Sequence, residues 1–147
     1  VAVSKHGNSC KVVGGHVIKI INPVTLAQWI AFHGVKVKNG VAIVFKGVSS
    51  EFKSNFNQLD YTPGTTPKAP DWDNGKAECG GGLHFSPYPI ATLKTNFNAK
   101  KFVACPVRVK DMRRPKADDE YPEKIKASGC CAPVWECDIN GNPIKKS

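Results

Sequence analysis

Residues 35–47 read Val-Lys-Val-Lys-Asn-Gly-Val-Ala-Ile-Val-Phe-Lys-Gly, and this stretch decides the fold class. Val35 to Lys38 alternates apolar with polar, as a half-buried strand does. Asn39-Gly40 suits the two positive-φ positions of a type I′ turn, whose twist matches antiparallel strands. Val41 to Lys46 then returns as a richer strand, with Val41, Ile43 and Phe45 on one face and Ala42, Val44 and Lys46 on the other. Lys46 therefore closes a face that is otherwise apolar.

Working outward, Val24 to His33 carries Leu26, Trp29, Ile30 and His33 at helical spacing, with Gly34 placed to end a helix in a left-handed conformation. Asn22-Pro23 reads as its start, asparagine capping and proline in the first turn. Residues 1–15 are expected to be a loose lead-in, and His16 to Ile21 a first strand. Ser49 to Leu59 allows a helical turn or two. Residues 60–79 hold Pro63, Gly64, Pro67, Pro70 and Gly75 with little apolar content. A connection of that length commonly belongs to a binding loop or lid. Trp72 on it is either a buried anchor or a stacking surface for a base or nicotinamide ring.

Leu83 to Ser86 is expected as a short strand, Pro89 to Phe97 as a helix, and Lys101 to Val109 as a strand with Pro106 marking an edge or bulge. Asp111 to Glu123 is charged and turn-rich. Ile125 and Val134 to Ile139 complete the sheet before an Asn140-Gly141-Asn142 turn. The expected architecture is α+β: a lead-in over 1–15, then a single domain over 16–147 with a mixed, mostly antiparallel sheet and short peripheral helices.

The 147 residues suffice for one core. No apolar run approaches a membrane span or a signal-peptide core, which points to a protein without a membrane partner. The expected compartment is the cytoplasm, or a target cell's cytoplasm if the chain belongs to a delivered toxin. Val1 in place of methionine fits a processed product, an excised domain or simple methionine removal. Twenty-one Lys and Arg against twelve acids give a net charge of +9, so nucleic acid or another polyanion is the expected partner. The alternative is a solvated surface. An acidic inhibitor or immunity protein would suit the same charge, and a monomer is expected. Lys100, Lys101, Arg108, Lys110, Arg113 and Arg114 are the candidate phosphate contacts, with Arg108 and Lys110 alternating along one strand face. Lys116 and an acidic Asp118-Asp119-Glu120 run follow. The six cysteines form no Cys-x-x-Cys pair and no compact framework. They read first as free thiols, with disulfides, or zinc shared with Cys79 or His84, as alternatives; no metal is expected.

The segment 79–89, Cys-Gly-Gly-Gly-Leu-His-Phe-Ser-Pro-Tyr-Pro, is the expected functional centre. Three glycines permit close backbone approach, but neither phosphate-loop pattern is present. His84 and Ser86 share a strand face while Leu83 and Phe85 point inward, so imidazole and hydroxyl could meet a ribose or phosphate. A surface histidine with a helix-capping serine is the alternative.

Val44-Phe45-Lys46-Gly47 and Gly82-Leu83-His84-Phe85-Ser86 together resemble the first two motifs of the ADP-ribosyltransferase superfamily, the second being closest to its RNA 2′-phosphotransferase branch. Lys46 stands where that family carries His or Arg. The resemblance implies NAD as cofactor, His84, Lys46 and Glu136 as catalytic residues, and Gly47, Ser86, Tyr88 and Trp72 around the cofactor. A carboxylate such as Glu136 would stabilise positive charge developing on the ribose. A toxin or phage effector acting on nucleic acid or protein would fit. Two alternatives stay open: a metal-independent ribonuclease toxin using His84, Lys46, Ser86 and Tyr88, and a non-catalytic nucleic-acid or protein-binding module.

Overall fold

The asparagine–glycine turn forms as its sequence demands, with Asn39 at φ 52° and Gly40 at φ 75°. In the computed structural model, residues 2–3, 8–13, 16–21 and 23–144 are described, with side chains from Pro23 to Ile144. Three strands, β1 (Ala2–Val3), β2 (Asn8–Val13) and β3 (His16–Ile21), pair antiparallel with one another. The lead-in thus contains strands, and the expected first strand pairs with them rather than with the central sheet.

Helix α1 (Leu26–His33) begins later than the Asn22-Pro23 signal suggests; Asn22 itself lies outside the described residues. Thr25 is the cap: its Oγ1 accepts from Gln28 N at 3.1 Å, and Gln28 Oε1 accepts from Val24 N at 2.9 Å. This reciprocal pair satisfies two otherwise orphaned amides. Gly34, at φ 66°, ends the helix as expected. Trp29 is its one fully buried residue and packs into the core.

The central sheet runs β4 (Val37–Lys38), β5 (Val41–Val48), β7 (Lys101–Arg108) and β9 (Trp135–Cys137), all antiparallel. A second pair joins β6 (Leu83–Phe85) to β8 (Ile125–Ala127) and is tied to β5 by a bridge between Phe45 and Ser86. The α+β class with antiparallel strands and short helices is what the chain adopts. The core is apolar and close to continuous: Val44, Val48, Val103, Cys105 and Val107 from the central sheet meet Leu83, Phe85 and Ile125 from the second. Each such side chain contributes roughly 1.5–3 kcal/mol on burial.

Pro106 sits in an interior strand, not at an edge, opposite Ile43. Its carbonyl accepts from Cys131 N at 3.0 Å, away from β5. The proline nitrogen points the same way, past the end of β9, so no bond of the β5–β7 ladder is lost. The expected helix over 89–97 is a 3-10 helix, Pro89–Lys94.

One buried charge organises the long connection. Lys126 on β8 is 1% exposed, and its Nζ lies 2.8 Å from the Asp73 carboxylate and 2.8 Å from the Ala77 carbonyl. The Trp72 ring lies under the same ammonium, 5.7 Å from its centroid. Three attachments thus fasten residues 72–77 to the sheet. Hydrogen bonding from Lys126, more than any other cause, holds the Asp73 carboxyl down to about 2. Its stabilising contribution is present above the ordinary carboxylate range and is lost as pH falls towards 2.

Because Lys126 is enclosed while the Asp73 side chain is 28% exposed, the two halves of the pair are not equivalent. Asp73→Asn strands an ammonium in the interior and should lower the melting temperature by on the order of 10 °C. Lys126→Met leaves a carboxylate that water can reach and should cost less than half as much. Thermal denaturation of the two variants checks the order; equal losses would refute it.

Candidate functional site

The segment 79–89 reaches its position through the second sheet. Leu83 and Phe85 are buried, and Ser86 exchanges two backbone hydrogen bonds of 2.9 Å with Phe45. This brings the Lys46-Gly47 end of β5 beside the Gly82–Ser86 segment. Between them opens a cavity of about 310 Å³ lined by Lys46, Gly47, His84 and Ser86, together with Cys79, Gly80, Gly82 and Thr92. That size is at the low end for small-molecule sites. The structure therefore gathers four of the expected site residues, Lys46, Gly47, His84 and Ser86, at one place.

The triple glycine has a cause other than a ligand. A Cβ on Gly81 would lie 1.9 Å from the Asp71 carbonyl oxygen, and one on Gly82 would meet Lys126 and Trp72 at about 3 Å. The backbone approaches the chain's own loop. Gly47 is likewise set by packing, since a Cβ there would press on the Thr92 hydroxyl at 2.8 Å and on Ala99.

Lys46 is the unusual group. Its Nζ donates to the His84 carbonyl at 2.9 Å and sits 5.6 Å from the Tyr61 ring centroid. No carboxylate pairs with it among the described residues. Burial is the main reason its ammonium falls from 10.5 to about 8, with Lys124 adding to the depression and Cys105 opposing it. A displacement of that size disfavours the charged form by about 3 kcal/mol. An entering anion would recover much of that.

His84 is committed elsewhere. Its Nε2 bonds the Gly80 carbonyl at 2.8 Å, so that nitrogen carries the proton. Its Nδ1 is buried without a partner. Burial first of all, opposed by the Gly80 bond and aided by the neighbouring Lys124, Lys46 and Lys126, lowers the imidazole to about 4. The ring is neutral at pH 7 and pins the glycine turn rather than carrying charge into the cavity.

Three expected residues lie away from this cavity. Glu136 is opposite Val103, itself opposite Lys46, which puts it two strand spacings, about 10 Å, along the same sheet face. It is not among the lining residues. Tyr88 donates to Glu123 at 3.1 Å in a surface cluster with Lys94. Trp72 is the half-buried loop anchor under Lys126 and lines a different cavity.

Three side chains that the sequence reading passed over line the cavity in their stead. Asp71 is its one lining carboxylate and accepts from Gly82 N at 3.1 Å. Phe56 is 94% exposed at its wall, the aromatic that Trp72 is not. Lys124 donates to the exposed Cys79 thiol at 3.0 Å. No sequence signal marks them, because each depends on where its loop crosses the strands.

The expected phosphate track is also divided. Lys101 begins β7, with Lys100 just before it, and Arg108 ends the strand about 24 Å away. The strand stops at Arg108 and a 3-10 turn, Val109–Asp111, follows, so Arg108 and Lys110 do not alternate on one face. Lys101 lies over the Phe52 ring at 4.5 Å. Arg113 is buried in a two-pronged pair with Asp119, both bonds 3.1 Å, and is structural.

Cys79, Cys105, Cys130, Cys131 and Cys137 are all free thiols. Burial pushes Cys105 well up and Cys137 to about 12, which keeps both protonated and inert. No group of three or more metal-ligating side chains occurs among the described residues, and no described helix is long and apolar enough to cross a membrane. No family model, curated protein or solved structure matches the chain.

The neutral imidazole can be read directly. The His84 ring proton resonances should stay flat from pH 8 to pH 5.5 and begin to move only nearer pH 4. Because the folded value is depressed, stability linked to His84 is complete above about 6.5 and declines as pH falls towards 4. A midpoint near 6.5 in the folded protein would refute this geometry.

Proposed function

We propose that the cavity beside β5 and β6 is an NAD-class nucleotide site and that the protein is an ADP-ribosyltransferase-like enzyme. Its acceptor would be a nucleic acid or a protein. One observation carries the reading: the two segments that resemble the superfamily's first two motifs, far apart in sequence, face each other across one cavity through the Phe45–Ser86 bridge.

The residues present suit such a ligand in part. An ammonium without a carboxylate partner suits a diphosphate, since an anion beside Lys46 offsets its desolvation. Phe56 gives a ring face for a base or nicotinamide at the mouth. About 310 Å³ holds a nucleoside-sized half of a dinucleotide, leaving the remainder to cross that mouth. NAD would supply the ADP-ribosyl group, released at its nicotinamide glycosidic bond. The chain must then set a negative charge where the ribose becomes positive. We assign that role to Asp71, which lines the cavity where Glu136 does not.

The ribonuclease reading has less support. Acid–base cleavage needs a histidine that exchanges protons near neutrality, whereas one His84 nitrogen is bonded to Gly80 and the other is buried. Five free cysteines favour a reducing compartment, in keeping with action in a cytoplasm, the producer's own or a target cell's.

Titration calorimetry with NAD tests binding, and nicotinamide release tests turnover. Lys46→Met should weaken NAD binding at least tenfold while keeping or raising the melting temperature, because it removes an unpaired enclosed charge. Asp71→Asn should bind NAD yet release nicotinamide at least a hundredfold more slowly, and Glu136→Gln should match wild type in both. Absence of binding at millimolar NAD would remove the reading. Loss of turnover in Glu136→Gln with Asp71→Asn unaffected would remove the Asp71 assignment.

A further inference from the structure

The chain's positive charge is largely unused by the first cavity. A second cavity, of about 410 Å³, is lined by Trp72, Lys110, Arg114 and Lys116, with Asp111 and Arg113 also in its wall. Lys110, Arg114 and Lys116 are exposed, and none is in an ion pair among the described residues. Arg114 spends its Nε on the Val24 carbonyl at 2.9 Å, which fixes the guanidinium's orientation and leaves its two terminal nitrogens for another partner. Arg113 is neutralised by Asp119 and adds no free charge.

The acids that flank Trp72 in sequence do not cancel this field. Asp71 turns to the first cavity, where it accepts from Gly82 N. Asp73 is consumed by Lys126 and by the Gly75 and Ala77 amides. Asp111 is the one carboxylate left in the wall, against three cations. Trp72 is itself held in place by Lys126 and by the glycine backbone at Gly82.

We propose that this cavity docks single-stranded nucleic acid, a base packing against Trp72 and the adjoining phosphates meeting Lys110, Arg114 and Lys116. The choice of nucleic acid takes the first of the two acceptor classes proposed above and rests on that reading; the location rests on the cavity alone. A concave wall with one aromatic and three cations suits an unstacked base and the phosphates on either side of it. A duplex keeps its base faces covered and offers the ring nothing.

Fluorescence anisotropy with labelled ten-nucleotide uridine and thymidine strands and a ten-base-pair duplex, without NAD, tests the proposal. One or both single strands should bind at least tenfold tighter than the duplex, with a log–log salt slope near about −2 for three phosphate contacts. Lys110→Ala with Lys116→Ala, both at exposed positions, should weaken binding at least tenfold with an unchanged thermal melt. Trp72→Phe should abolish strand-induced quenching of tryptophan fluorescence; if that variant unfolds, the lysine pair still decides the location. Equal or tighter duplex binding, equal competition by a polyglutamate peptide, or unaltered affinity in the lysine variant would overturn the proposal. Oligonucleotide binding without NAD binding would overturn only the first cavity's reading, and NAD binding without oligonucleotide binding only this one.

Discussion

A fully enclosed ammonium at Lys126 is the constraint on which the site depends. A charge removed from water is tolerable only when its hydrogen-bonding directions are filled. Here the loop from Asp71 to Gly82 fills them, with a carboxylate at Asp73, a carbonyl at Ala77 and an aromatic face at Trp72. The loop has little apolar content of its own, so this charge takes the place of a hydrophobic anchor. Once fastened, it folds back on itself so closely that a side chain at position 81 would meet the Asp71 carbonyl and one at position 82 would meet Lys126 and Trp72. Gly82 is thus a consequence of Lys126, Gly81 of the close approach to Asp71, and Gly80 of its left-handed backbone at φ 89°.

Lys46 shows what the same residue type does when those directions are left open. Among the described residues it has a carbonyl and a ring but no carboxylate, and its ammonium is disfavoured where Lys126 is paired. A structural lysine has its counter-charge supplied by the chain. A lysine whose counter-charge is missing, beside a cavity, is a standing penalty that an anionic ligand relieves. This contrast, more than the identity of any motif, separates scaffold from site in this molecule.

The sequence discloses what is local. The Asn39-Gly40 hairpin, the Gly34 helix end and the inward Leu83 and Phe85 follow from short-range pattern, whereas the approach of Lys46 to the 82–86 segment, 38 residues away, is expected from the resemblance alone. Where two local signals compete, the weaker-looking one can win: Thr25 with Gln28 forms a reciprocal cap, whereas Asn22-Pro23 offers a single one. Pro106 misleads because an edge position was inferred from its missing amide, and only the register shows that this amide would have pointed past a short neighbour. Glu136 lies outside the cavity for a similar reason. Its strand joins the sheet on the far side of β7, and no property of residues 134–139 could have told which side. The division of the basic residues depends on where β7 ends, and Arg113 is lost to Asp119 across a turn.

The two cavities are not independent pieces of surface. Asp71 and Trp72 are neighbours in sequence, about 3.8 Å apart at their Cα atoms, yet each belongs to a different cavity. The chain turns at residues 70–71, the two side chains part to different cavities, and Lys126 holds the chain just beyond that turn. A base packed on Trp72 would therefore stand within the reach of two neighbouring side chains from the Asp71 carboxylate, on a stretch of backbone that Lys126 clamps. Group transfer between two ligands needs such fixed spacing, because small errors in position are costly in rate. One clamped dipeptide can provide it, and Asp73 and Gly81 on either side of the clamp serve to keep that dipeptide still.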